Sequence, residues 1–279
     1  MHHKKIFALA MASALTMSAC SAGNDSSGGS EGSDGKGTLT VGIKFDQPGL
    51  GLQKGDDFSG FDVDVAHYVA DKLGYPEEKV KFVQSVSAQR ETMLSNGQVD
   101  MIVATYTIND ARKEKVDFAG PYLMAGQGLL VAADNDSITG PDSLDGKKLC
   151  SVSGSTPAQR IKEEFSKDVQ LYEAATYSEC AELLNNGTID ALTTDDDILA
   201  GFAAAPEYEG KFKLVGKPFS EEPYGIGFPK GSENCEKANE AIKEMIDDGS
   251  WEKFLKDNLG DAYTPNAETN PPVPGGSCS

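Results

Sequence analysis

Arginine is almost missing from this sequence. Only Arg90, Arg112 and Arg160 occur, against 44 acidic residues, and the formal charge is −19. Histidine is as scarce: beyond the first three residues there is only His67, and no Cys-x-x-Cys pair exists. A four-ligand zinc centre therefore lacks candidate ligands. Nucleic acid needs basic surface, which this chain does not offer, and anionic lipid surfaces repel it for the same reason. There is no G-x-x-x-x-G-K-[ST] loop, so the chain is not an ATP-driven motor. No apolar run approaches the roughly 20 residues of a membrane-spanning helix.

What is present begins with "MHHKK", a basic start, then the short apolar run "IFALAMASALTM" and small residues up to Cys20. That order reads as a secretory signal over residues 1–19. Cysteine directly after Met-Ser-Ala resembles the bacterial lipobox, in which the cysteine is lipidated and becomes the mature N-terminus. Acyl chains at Cys20 would hold the protein on the extracellular face of the cell membrane with no spanning helix. Residues 20–37 are small and polar, and cannot bury enough surface to order themselves, so they read as a tether. Loss of Lys4 and Lys5 with the signal takes the mature charge to about −21. In so negative a field, an anionic ligand needs a local basic pocket.

Four cysteines remain: Cys150, Cys180, Cys235 and Cys278. An even number in an exported chain indicates disulfides, although three pairings are possible. Cys150–Cys180 and Cys235–Cys278 are favoured because each pair falls in one region of the expected fold.

Hydrophobic spacing divides the chain into two similar α/β blocks. "TLTVGIKF" alternates as a strand, "GFDVDVAHYVADKLG" carries a helical stripe ending at Gly74, and "KVKFV" is a strand. "SAQRETMLSNG" reads as a helix with Ser87 as N-cap, and "VDMIVATYT" as a buried strand. The second block repeats the alternation through "KKLCSVSGST", "PAQRIKEEF", "VQLYEA", "YSECAELLNNG", "TIDALTTD", "DDILAGFAAA" and "FKLVG". Two extended segments, 126–134 and 223–231, would link the blocks as hinge strands. Helices from Glu233 to Asp247 and from Trp251 to Leu259 would pack back on the first. The expected division is a first lobe of 38–129 and 223–262, a second of 130–222, and a Pro-rich tail of 263–279 with no core of its own.

Ligands of α/β sheets bind beyond strand C-termini, and three places there carry suitable chemistry. Thr105, Thr107 and Arg112 offer hydroxyls and a bidentate guanidinium to a carboxylate. "SGSTPAQR" runs from a strand into a helix that Thr156 could cap, with Pro157 at its first position and backbone N–H groups free for an anion. Asp195 opens the helix after "TIDALTTD", either as a plain cap or facing a cleft toward an ammonium group. Arginine on one lobe and aspartate on the other match the two ends of an amino acid zwitterion.

From about Thr38 to Leu259 the chain resembles the type II extracellular solute-binding proteins of polar amino acid uptake. "GFDVDVAHYVADKLG", "NGQVDMI", "TYTINDARKEKVDFAGPY" and "GTIDALTTD" stand in that family's order and spacing. "IKFDQPGLG", "SAQRET" and "CSVSGSTPAQR" are similar to the glutamate-binding lipoproteins of Gram-positive ABC importers. The resemblance implies a two-lobe type II periplasmic-binding-protein fold with two hinge strands, working as a monomer without a cofactor. It implies that Arg112 clamps the ligand α-carboxylate, assisted by Thr107 and the Thr156 turn, while Thr105 and Asp195 hold the α-amino group. Asn109 stands where many members have threonine. At the side-chain end, Lys44 and Arg90 fall where acidic-amino-acid binders carry basic residues, beside Ser87, and Tyr177 would reach in from the second lobe. Surface ion pairs are the plain alternative for both cations.

The implied function is capture of L-glutamate, or aspartate, by hinge closure and delivery to a separate permease and ATPase. Binding of glutamine or another polar amino acid is the nearest alternative. Exported dehydratases share the fold, but no histidine or isolated glutamate at a strand end supplies a general acid or base here.

Overall fold

The structure, a computed structural model, describes residues 37–165 and 169–279. The signal, Cys20 and most of the tether lie outside the described residues. Two five-stranded sheets organise the rest. The first runs Val80–Gln84, Leu39–Ile43, Met101–Ile102, Glu222–Pro229, Val116–Ala125, its first three strands parallel and its last two antiparallel to their neighbours. The second runs Gln170–Ala174, Lys148–Val152, Ala191–Asp195, Gln127–Ala132, Phe212–Val215 in the same pattern. Helices between the parallel strands bury apolar stripes on the sheets. On Phe61–Lys72, for example, Phe61, Val65, Ala66 and Val69 are fully buried.

The chain changes sheets twice. It leaves the first at Gly126, between Ala125 and Gln127, and returns between Val215 and Glu222. The two extended segments expected as hinge strands each belong to one sheet, so the connections between the sheets are these short crossings. They touch: Gln127 N–H donates to Ser220 Oγ at 3.0 Å, and Phe219 N–H to the Gln127 carbonyl at 2.9 Å. Gly126 permits the approach, because a Cβ there would lie 2.7 Å from both Pro218 Cβ and the Ser220 carbonyl oxygen.

Three features depart from the sequence expectation. A small antiparallel sheet, Asp46–Gln47, Gly51–Lys54 and Asp57–Ser59, follows the first strand. "VDMIVATYT" contributes only Met101–Ile102 as strand before the backbone turns at Thr105. The tail has no core of its own, yet it pairs the exposed edge of Val116–Ala125. Gly275 and Gly276 N–H donate to the Gly120 carbonyl, Ser277 N–H to Phe118, and Asn270 both donates to and accepts from the Met124 backbone. Covering an edge strand removes a row of unpaired backbone groups.

Both disulfides join the favoured pairs. Cys150–Cys180 ties a second-sheet strand to the helix Tyr177–Asn185, and Cys235–Cys278 ties the tail to the helix Asn234–Asp247. The second closes a 43-residue separation. Replacing Cys235 and Cys278 together by serine should cost about 2–4 kcal/mol of stability, read from the urea midpoint. An unchanged midpoint would mean that the tail's backbone pairing suffices alone.

Candidate functional site

The strand ends of both sheets meet in the cleft, and the sequence-predicted residues gather there. Ser87, Arg90, Thr105, Thr107, Arg112, Thr156, Tyr177 and Asp195 all border one small cavity, about 10 Å³, room for a single water. Lys44 reaches the same group through Ser87. All nine are buried or nearly so, and Arg112, the most exposed of the charged ones, is 7 % exposed. An amino acid can enter only if the lobes part.

Thr105 carries the least relaxed backbone. Its φ of +46° lies in the left-handed region, unfavourable for a β-branched residue. Asp62 pins it, accepting the Thr105 N–H at 2.9 Å and the Tyr122 hydroxyl at 2.7 Å. Burial raises the Asp62 carboxyl to about 6. The Thr105 hydroxyl donates to the Ala104 carbonyl at 2.8 Å and accepts from Gln47 Nε2 at 3.3 Å, which leaves one lone pair for an incoming donor such as an ammonium group. The next residues are fixed by the returning strand: Gly225 N–H donates to the Tyr106 carbonyl and Ile108 N–H to that of Pro223.

Arg112 sits on the short helix Asp110–Lys113, capped by Asn109, whose side chain accepts the Arg112 N–H at 2.9 Å. Asn109 is thus structural. The guanidinium donates to the Thr107 carbonyl at 2.7 Å and across the cleft to the Gly154 carbonyl at 3.2 Å, with Glu91 3.5 Å from its Nε. Tyr106, between the two threonines, lies under both guanidinium groups, 4.8 Å from Arg90 and 4.9 Å from Arg112, and donates to Glu91.

Lys44 and Arg90 both donate to the Ser87 hydroxyl, at 3.0 and 3.2 Å. Ser87 is therefore not a helix cap: a short turn over Ser87–Gln89 precedes the helix Arg90–Ser95, and the hydroxyl holds two cations instead. Neither cation forms an ion pair with a described residue, and the Arg90 Nε has no hydrogen-bond partner. Burial first, and the Arg90 charge second, lower Lys44 to about 7. Burial and Arg90 also lower Arg112. Tyr177 stands opposite, its ring centre 5.7 Å from Lys44 Nζ.

From the second sheet, Thr156 does not cap its helix. Ser155 does, accepting the Ala158 N–H at 3.1 Å, with Thr156 and Pro157 at the first two positions of Thr156–Arg160. That frees the Thr156 hydroxyl to cross the cleft, where it lies 3.2 Å from Thr107 Oγ1. Asp195 precedes the helix Asp196–Ala204 without capping it by its side chain. Its Oδ2 accepts the Tyr224 hydroxyl at 2.7 Å, and its Oδ1 is buried and unpartnered. Burial, then Glu222 and Asp197, push its carboxyl well above the usual carboxylate range.

Three buried cations on one side of a cleft thus face a buried carboxylate on the other. The pattern suits a small ligand bearing two acids and one ammonium. A family model described as bacterial extracellular solute-binding proteins, family 3, matches residues 39–261. The chain belongs to that family. A glutamate-binding protein GluB from Corynebacterium efficiens is 46% identical over 286 residues, covering 94% of each chain. Another GluB, from Corynebacterium glutamicum, is 48% identical over 265 residues, covering 88% of this chain and 86% of that one. Among solved structures, an ancestral arginine-binding protein bound to glutamine superposes with a TM-score of 0.74 at 35% identity, covering 81% of this chain and 99% of that one. Several partners of this family member's site escaped the sequence: Asp62, Tyr106, Glu91 and Glu222. Asp62 carried a signal, an acid between Phe61 and Val63 on the apolar stripe of its helix.

Proposed function

We propose that this protein captures L-glutamate by closure of its two lobes and presents it to the permease of an ABC importer. The observation that carries this is the cation cluster: Lys44, Arg90 and Arg112 are buried together, and among the described residues only Arg112 has a carboxylate within 4 Å. Uncompensated buried charge is costly, so a dianionic side of a ligand is what this surface stabilises. Arg112 takes the α-carboxylate, Thr105 and Asp195 the ammonium group, and Lys44 and Arg90 the γ-carboxylate, with Ser87 and Tyr177 closing that end. The ligand is held without turnover, and the chain acts as a monomer, anchored through lipid at Cys20.

Calorimetric titration of the ligand-stripped protein with glutamate, aspartate and glutamine tests the assignment. Glutamate should bind tightly and glutamine far more weakly, with the ligand recovered unchanged afterwards. Glutamine binding as tightly would remove Lys44 and Arg90 from the ligand.

Lys44 adds a pH dependence. Its pKa is held at about 7, and a neighbouring γ-carboxylate raises it. Below pH 7 it is already charged, so Lys44 adds no pH dependence to glutamate affinity there. Above that, binding must take up a proton, and affinity falls by up to about tenfold per pH unit. Glutamine, with no γ-charge, lacks this fall above pH 7. Equal binding heats for glutamate in two buffers of different ionisation enthalpy at pH 8 would show that Lys44 does not change protonation.

A further inference from the structure

Arg160, the third arginine, has no part in the ligand set, yet it points at a buried acid beside the site. Glu222 opens the returning strand of the first sheet, opposite Ala125, and is 1 % exposed. Its carboxylate gathers three donors. The Thr156 hydroxyl donates to Oε2 at 2.7 Å, the Ser220 hydroxyl donates to Oε1 at 2.9 Å, and Arg160 Nη2 lies 3.4 Å from Oε1. Ser220 belongs to the crossing between the sheets. Thr156 and Arg160 come from the second-sheet side, on the helix that faces the cleft.

Proton accounting gives the arrangement a direction. A carboxylate only accepts, and the Thr156 hydroxyl has one proton, which goes to Glu222. The 3.2 Å contact between Thr107 and Thr156 is then donated by Thr107. Thr156 accordingly has no hydroxyl proton left for a ligand carboxylate. Its side chain works between the lobes.

We propose that Glu222 is a positioning residue: it draws Thr156 and Arg160 from the second lobe onto the first and ties the lobes shut over a bound amino acid. The proposal rests on the binding function above, but it concerns closure and not ligand identity. Both charge-assisted bonds form between the two sides of the cleft, so parting the lobes strains or breaks them. Their contribution falls on release of the ligand. Glutamate and glutamine benefit equally, because the ligand-facing groups that the Glu222 charge reaches, Asp195 and Arg112, meet the ammonium and α-carboxylate that both carry.

Glu222→Gln and Arg160→Gln, each measured by stopped-flow binding of glutamate and glutamine, test this. Dissociation should quicken by about tenfold, as expected for losing one hydrogen bond to a charged group, with association unchanged. The factor should be the same for both ligands, and the double variant should lose less than the product of the two. Unchanged dissociation overturns the proposal. So does an effect confined to glutamate, which would place Glu222 among the groups that sense ligand charge. If Glu222→Gln does not fold, Arg160→Gln decides, since that side chain is partly exposed. Failure of the wild-type protein to bind any amino acid would instead overturn the function. The tie would then be read by small-angle scattering, where both variants should be more extended than the wild type, and equal dimensions would overturn it.

Discussion

An Arg112→Ala variant should lose glutamate affinity by about a hundredfold to several thousandfold, on the order of the 3–5 kcal/mol that breaking a buried charge pair costs. The guanidinium is buried in the cleft and has one carboxylate neighbour among the described residues, Glu91, at 3.5 Å. A ligand α-carboxylate would be its strongest partner. Arg112 also organises the cleft, donating to the Thr107 carbonyl and across to the Gly154 carbonyl. The variant should therefore lose thermal stability as well as affinity. Arg112→Lys separates the two roles, because lysine keeps the charge but not the planar fork that two simultaneous bonds require. Its affinity should fall between wild type and alanine. Calorimetry with glutamate decides, and an alanine variant within a few-fold of wild type would remove Arg112 from the ligand.

The sites of chemistry were easier to see in the sequence than the devices that hold them. Lys44, Arg90, Arg112 and Asp195 follow strands or open helices, where α/β folds present ligands, and charge scarcity made each basic residue conspicuous. Repeated helix, glycine, aspartate and strand segments announced two α/β blocks. The strand Val116–Ala125 was hidden because Asp117 and Pro121 interrupt its apolar pattern, and Pro121 alone argues against a strand. The tail was hidden for a different reason. Its partners are backbone groups of an edge strand, and pairing by main-chain hydrogen bonds leaves no side-chain periodicity to find. Cap positions were misplaced at Ser87 and Thr156 because a hydroxyl beside a helix start can turn outward as readily as inward. What turned them is tertiary: two cations at Ser87 and a carboxylate from another sheet at Thr156.

Asp195 should show the opposite balance from Arg112. Its carboxyl is buried beside Asp197 and Glu222, and one of its oxygens has no partner. Because its folded pKa is raised above the unfolded value of about 3.8, the folded state binds its proton more tightly than the unfolded state does. The stability this confers is fully present below the unfolded pKa and is lost as pH rises through the folded one. Asp195→Asn keeps an oxygen for the Tyr224 hydroxyl but has no charge to repel its neighbours. The ligand-free variant should thus melt higher than wild type at neutral pH, by about 2–4 °C for each kcal/mol relieved, and the difference should shrink toward pH 4. Glutamate affinity should meanwhile fall on the order of a hundredfold, since the ammonium group loses its anionic partner. Affinity and stability moving in opposite directions is the signature of a residue strained for binding. If Asp195→Asn lowers the melting temperature and leaves affinity intact, the carboxylate serves the fold, and the ammonium site must lie elsewhere.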